Sequence, residues 1–205
     1  MSVVRVTQVL DYFMEPTLVA WKVKVGAKES RRISTLAMKV GSKVDMLIKT
    51  GSNPDAKDSS EVRSCHEGWR KWYADYRQPR FDGCQRLFDE SRGLTGEPDI
   101  FLPATNTLVD IKCSGQINLK YWLQLAAYAS MMKTQPSMLA ILRLHKSIGE
   151  YEYKVREFDK KLVDVFNAML LAYNYLCPPT ADNEGGANGS SNSGEAENSS
   201  ADTAV

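Results

Sequence analysis

No stretch of this 205-residue chain approaches the roughly 18 consecutive apolar residues that would cross a membrane. Nor does Met1-Ser2-Val3-Val4-Arg5 have the charged start and continuous apolar run of a secretion signal. The four cysteines, Cys65, Cys84, Cys113 and Cys177, stand far apart with no Cys-x-x-Cys pair, which excludes a disulfide framework and a zinc finger. Histidine is scarce: His66 and His145 have no Cys or His neighbour at ligand spacing and are expected to be structural. A soluble, intracellular (cytoplasmic) protein without a membrane partner is the expectation.

The formal net charge of +1 averages two unlike regions. From Pro178 to Val205 there are five acidic residues and no Lys or Arg, leaving 26 basic against 20 acidic residues in Met1–Cys177, a charge of +6. That is compatible with a polyanionic partner but is not the dense basic stripe of a dedicated nucleic-acid binder. The tail from about Thr180 is rich in Gly, Ser, Asn and Ala. It has too little apolar surface to offset its ordering entropy and is expected to be disordered. Residues 1–177 are then one domain, with 43% hydrophobic and 25% charged residues over the whole chain, ordinary values for a packed core.

The first half reads as helical. Thr7 is placed to cap a short helix through Phe13. Ser30 precedes a run with Ile33, Leu36, Val40, Val44 and Leu47 at helical spacing, ended by Gly51-Ser52-Asn53-Pro54. A third amphipathic run covers about Glu61 to Tyr76. Its Trp69, Trp72, Tyr73 and Tyr76, interleaved with basic residues, suit either a stacking surface for single strands or a buried aromatic face.

The middle of the chain changes period. Cys84–Asp89 reads as one strand. Glu97–Leu102 and Thr107–Cys113 read as two more, joined by Pro103-Ala104-Thr105-Asn106. A helix from Leu119 to about Lys133 follows, then strands at Met138–Leu144 and Tyr151–Glu157 and a helix from Asp159, its cap, to about Leu176. The expected fold is mixed α/β, a central mixed sheet flanked by helices.

Chemistry concentrates on the hairpin. Asp99 lies near the start of one strand and Asp110 near the end of the next, so antiparallel pairing brings them side by side. Two such carboxylates repel unless a cation sits between them, and hard oxygen ligands suit Mg2+ or Mn2+. Lys112 projects from the same strand face as Asp110. There it can orient a water or stabilise charge on a phosphate. The Ile111 side chain points into the core, while its backbone carbonyl is available as a further ligand.

The segments Gly96-Glu97-Pro98-Asp99, Val109-Asp110-Ile111-Lys112-Cys113-Ser114 and Gln124-Leu125-Ala126-Ala127-Tyr128 stand in order. Together they resemble the Gly-x-x-Asp, Asp-x-Lys and Gln-x-x-x-Tyr motifs of the PD-(D/E)XK nuclease superfamily, in its RecB-type and phage-recombination exonuclease branch. The resemblance implies a restriction-endonuclease-like core. It implies metal ligation by Asp99 and Asp110, with Lys112 as the catalytic lysine. Gln124 and Tyr128, at i and i+4 of one helix, are implied to position a nucleic-acid strand, and Ser114 to contact phosphate.

The sequence departs from that pattern upstream. In Gly41-Ser42-Lys43-Val44-Asp45-Met46-Leu47-Ile48-Lys49, Asp45 takes the place of a frequent His and is either an additional ligand or part of a solvated face. Lys49 replaces a frequent Glu and, as a cation, cannot ligate a metal. Gln85 stands where many relatives carry an acid, with Asp82 and Asp89 as nearby substitutes and Glu97, beside Asp99, as an outside candidate. Only Cys177 lies near the C-terminus, against the three cysteines clustered there in an iron–sulfur relative, so no Fe–S cluster is expected.

The resemblance therefore implies a Mg2+- or Mn2+-dependent deoxyribonuclease, an exonuclease of recombination, repair or phage DNA processing. Its partners would be single- or double-stranded DNA and, beyond that, a homo-oligomer or a recombination protein. Two other expectations compete with it: an inactive nucleic-acid-binding module of the same fold, and an assembly partner working through the aromatic helix or the acidic tail.

Overall fold

In a computed structural model, residues 3–13, 16–76 and 82–178 are described. Nearly all of the tail, residues 179–205, lies outside that set. The chain opens with a two-residue strand, β1 (Val4–Arg5), and helices α1 (Val6–Tyr12), α2 (Pro16–Val25), α3 (Ala27–Thr50) and α4 (Ser60–Asp75). Short strands β2 (Asp82–Gly83), β3 (Leu87–Asp89), β4 (Leu94–Gly96) and β5 (Ile100–Leu102) precede β6 (Thr107–Lys112). Helix α5 (Leu119–Met131), strands β7 (Met138–Leu144) and β8 (Tyr151–Glu157), and helix α6 (Lys160–Leu176) complete the order.

The second half folds as its sequence pattern predicts. Asn118 caps α5 by accepting from Tyr121 N, and Asp159 caps α6 by accepting from Lys161 N. Strand β6 lies at the centre of a five-stranded sheet ordered β2-β5-β6-β7-β8. Its pairing with β7 is parallel, with α5 as the crossover, and the other pairs are antiparallel. A second sheet, β1-β4-β3, stands apart.

The alternation of β6 divides the protein into two cores. Leu108 joins α1, α5 and α6 on one face, around the fully buried Phe166. Val109, Ile111 and Cys113 join α3 and α4 on the other, around Trp72. Each such buried side chain contributes roughly 1.5–3 kcal/mol, so both helical layers are firmly held to the sheet. Asp110 and Lys112, two apart with Leu108, are thereby turned toward α5.

The first half departs from the sequence reading at several points. Thr7 does not cap: α1 begins at Val6, after Arg5, with no side-chain cap. Ser30 lies in the first turn of α3 instead of before it: Gly26, at φ 82°, precedes the helix, which starts four residues earlier than a cap at Ser30 would place it. Its hydroxyl donates to the Ala27 carbonyl. Helix α4 is capped by Ser59, whose side chain accepts from Val62 N. Its Trp69 and Trp72 are buried in the core and Tyr73 is half-buried against it, whereas Tyr76 is exposed. Of the predicted strand Cys84–Asp89 only Leu87–Asp89 is β-structure, as β3 paired with β4, while β2 pairs with β5 just before that segment. Likewise only Ile100–Leu102 of Glu97–Leu102 enters the ladder.

Candidate active site

The hairpin register pairs Ile100 with Val109, Phe101 with Leu108 and Leu102 with Thr107. One step further places Asp99 opposite Asp110, as the antiparallel argument requires. The connector holds this register through a 3-10 turn at Pro103–Thr105 and Asn106 in the left-handed region at φ 46°. Asp99 Oδ2 accepts the Ile111 amide at 2.6 Å, which locks its carboxylate against the second strand.

Asp110 is 1% exposed and is the best-held group in the site. Its Oδ1 accepts from Lys112 Nζ at 2.9 Å and from Gln124 Nε2 at 3.2 Å. Lys112 Nζ also lies 2.7 Å from Oδ2, yet that oxygen accepts no hydrogen bond among the described residues. Gln124 Nε2 lies 3.1 Å from the Tyr128 hydroxyl. Gln124 and Tyr128 therefore share a face, as i, i+4 spacing dictates. Their polar ends turn inward to Asp110 and to each other, and both residues are buried.

Charge follows from this packing. Burial, then the neighbouring Asp110 charge, pushes the Asp99 carboxyl up to about 7. Burial also raises Asp110, against the pull of Lys112. Burial alone would lower Lys112, but the Asp110 and Asp99 carboxylates outweigh it and keep the ammonium protonated, above its ordinary range. Burial, then the Asp110 charge, pushes the Tyr128 phenol up to about 12.

Asp99, raised in part by the Asp110 charge, and Asp110, whose Oδ2 has Lys112 Nζ at 2.7 Å but accepts no hydrogen bond among the described residues, form an oxygen-donor pair that suits a hard divalent cation. Among the described residues no three His, Cys, Asp or Glu side chains gather. The side-chain donor set at the hairpin is thus small. Asp45 is not drawn into it. Its carboxylate pairs with Lys49 at 3.1 Å on the exposed side of α3, although its charge is near enough to raise Asp99. Ser114 lies in the loop after β6, its hydroxyl donating to the Gln116 carbonyl.

Several contacts at the site escaped the sequence reading. Gly96 makes room for Tyr128. Tyr121 places its ring 5.2 Å from Lys112 Nζ. Glu97 is gripped by Lys49 at 3.3 Å and by Arg86 at 3.5 Å. Arg5, Thr7, Arg86 and Tyr128 line a small polar cleft beside it. Of the substitutes weighed for Gln85, Asp89 is committed elsewhere, paired with Arg92 at 2.7 Å.

No protein-family model matches the chain, and no curated protein matches it in sequence. Solved structures do match. An alkaline exonuclease from Laribacter hongkongensis superposes with a TM-score of 0.50 at 13% identity, over 85% of this chain and 87% of that one. This chain shares the fold of that structure. A phage-related exonuclease from Haemophilus somnus 129PT gives 0.45 at 15% identity, over 86% of this chain and 95% of that one. The Laribacter enzyme in complex with dAMP gives 0.45 at 14%, over 72% and 79%. At such identities the likeness is one of fold alone.

Proposed function

We propose that this protein is a divalent-metal-dependent nuclease that hydrolyses DNA phosphodiester bonds, most narrowly an exonuclease of recombination, repair or phage DNA processing. The observation that carries the reading is the buried Asp110–Lys112 pair set beside Asp99 on one hairpin. A charged pair at 2% and 20% side-chain exposure is costly to bury. It is retained here in a fold shared with an exonuclease.

Asp99, Asp110 and the Ile111 carbonyl would hold Mg2+ or Mn2+. Such an ion lowers the pKa of a bound water and polarises a phosphoryl oxygen. Gln124 fixes Asp110 through Oδ1 and leaves Oδ2 available. Tyr128 in turn fixes Gln124. Lys112, held protonated, supplies positive charge where negative charge develops on the phosphate. Asp45, once released from Lys49, can add a further oxygen, and Ser114 stands next in the chain to contact phosphate.

The test is incubation with end-labelled single- and double-stranded DNA in Mg2+, Mn2+ or EDTA. Metal-dependent products that vanish in Asp110→Ala and Lys112→Ala are expected. Wild-type cleavage rates in either variant would show the centre to be elsewhere. The Asp45–Lys49 pair also favours a second reading, a binding module without turnover. It expects salt-dependent DNA binding and no cleavage in any metal.

A further inference from the structure

No residue from 16 to 39 belongs to either core. Helix α2 buries no side chain, and α3 is anchored only through its second half, by Val40, Val44, Leu47 and Ile48. Helix α2 and the first half of α3 thus form an arm that stands off the body. Its charge is far from average. Residues 16–50 hold eight Lys and Arg against two acids, a net charge of +6, while the rest of 1–177 holds 18 of each sign. Residues 16–39, the arm itself, hold six of these basic residues and one acid, a net charge of +5. Lys24, Lys28, Arg31 and Lys39 are exposed and have no ion-pair partner among the described residues.

These cations are ordered along a rigid element. Lys28, Arg31 and Lys39 line one groove on α3, and the same helix ends at Lys49, which touches Glu97 two residues from Asp99. At 1.5 Å per residue, the groove cations lie roughly 15 to 31 Å along the axis from Lys49. That span corresponds to about four to nine phosphate steps of one DNA strand.

We propose that this arm is a nucleic-acid rail: Lys28, Arg31 and Lys39 grip the phosphate backbone of the strand several nucleotides beyond the scissile bond. The proposal rests on the nuclease reading for its direction, and on charge complementarity for its partner. Exposed Leu18, Val23 and Met38 leave apolar area on the same arm. An anionic bilayer and a second copy of the chain would also find a surface there. The apolar residues are scattered among the charges, whereas the cations are lined up toward the site, which favours the polyanionic strand.

Binding of a labelled 20-nucleotide duplex is measured by anisotropy against salt concentration, in EDTA so that nothing is cut. The triple variant Lys28→Ala, Arg31→Ala, Lys39→Ala changes exposed helical positions to the best helix former. A second variant, Lys28→Arg, Arg31→Lys, Lys39→Arg, keeps the charge. The alanine variant is expected to bind on the order of tenfold more weakly at low salt and to lose up to about 2.7 units of the log–log salt slope. The charge-keeping variant is expected to bind like the wild type. With metal present, the alanine variant should show raised KM on long DNA and unchanged cleavage of oligonucleotides of about four nucleotides, which end before the rail. Equal affinity and slope in the alanine variant would overturn the proposal. So would a wild type that binds phosphatidylserine vesicles or self-associates through the arm but ignores DNA. Arm-dependent DNA binding with no cleavage in any metal would sustain the rail and sink the nuclease reading instead.

Discussion

The ring of Tyr128 lies across Gly96: a β-carbon on that glycine would fall 2.2 Å from Cε1 and 2.8 Å from Cδ1. Tyr128 cannot simply swing away, because it is 3% exposed and its hydroxyl lies 3.1 Å from Gln124 Nε2. Gly96→Ala is therefore expected to cost about 1–3 kcal/mol through overpacking. It should also impair cleavage, since Gln124 positions Asp110. Gly115→Ala, where a β-carbon meets nothing within 4 Å, serves as the control. Urea unfolding midpoints and initial cleavage rates check both. A Gly96→Ala protein as stable as the control would mean that the ring has room to shift.

Lys112 and Asp110 form a buried pair, and the two partners are not equally dispensable for stability. Lys112→Met leaves Asp110 charged, buried and short of its ammonium, which should destabilise by about 3 kcal/mol or more. Asp110→Asn combined with Lys112→Met removes both charges and should recover most of that loss. Neither protein should cut DNA. Denaturant titrations of the two single variants and the double variant, all in EDTA, give the coupling. Additive losses would show that the pair is solvated in solution.

Metal binding should appear as stability as well as activity. An ion that binds only the folded site stabilises by RT ln(1 + [L]/Kd), about 2.7 kcal/mol at a hundredfold excess over Kd. Mn2+ is thus expected to raise the thermal midpoint of the wild type and to leave that of Asp110→Asn unmoved. A rise of equal size in both proteins would place the ion outside this hairpin.

Acid sensitivity should come in part from Asp89. Burial works against its charge, but hydrogen bonds from Ser91 and Arg92 outweigh it and hold the carboxyl below its ordinary value. Arg92 extends the link to Ser130 on α5 and Asn167 on α6. A depressed folded pKa means stability that is fully present above the unfolded value of about 3.9. It is lost as pH falls through the folded value. Asp89→Asn should therefore cost about 1 kcal/mol at pH 7 and little below pH 3, which the unfolding midpoint against pH reports. A constant difference across that range would assign the loss to packing.

Much of this was legible in the sequence where an element's partner is near in the chain or its pattern is long. The β5–β6 hairpin, α5 and α6 satisfy turn, alternation and capping rules locally, so the sequence places Asp110, Lys112, Gln124 and Tyr128 on their elements, and Asp99 falls one residue before β5. Helix α2 left no trace because it buries nothing. Strands β1 to β4 have two or three residues each, too few to show a period, and β1 pairs with β4 across about ninety positions. Gly96 stood in a recognised motif, but its contact with Tyr128 lies 32 positions away and arises from a missing atom.

The remaining question at the site is Asp45, and the Lys49 side chain decides it. Lys49 sits between Asp45 at 3.1 Å and Glu97 at 3.3 Å, with all three side chains 43–45% exposed. Pairs this open are worth at most about 1 kcal/mol, so Lys49→Ala should change stability by less than that. Its effect on metal affinity should be larger. Without the ammonium, Asp45 is released toward Asp99, whose carboxyl already feels its charge. If Asp45 helps hold the ion, Lys49→Ala lowers the Mn2+ concentration needed for half-maximal cleavage, and Asp45→Ala raises it. The double variant Asp45→Ala, Lys49→Ala should then behave like Asp45→Ala alone, because Lys49 acts through Asp45. A Lys49→Ala enzyme with weakened DNA binding and unchanged metal dependence would instead make Lys49 a phosphate contact and leave Asp45 outside the metal site.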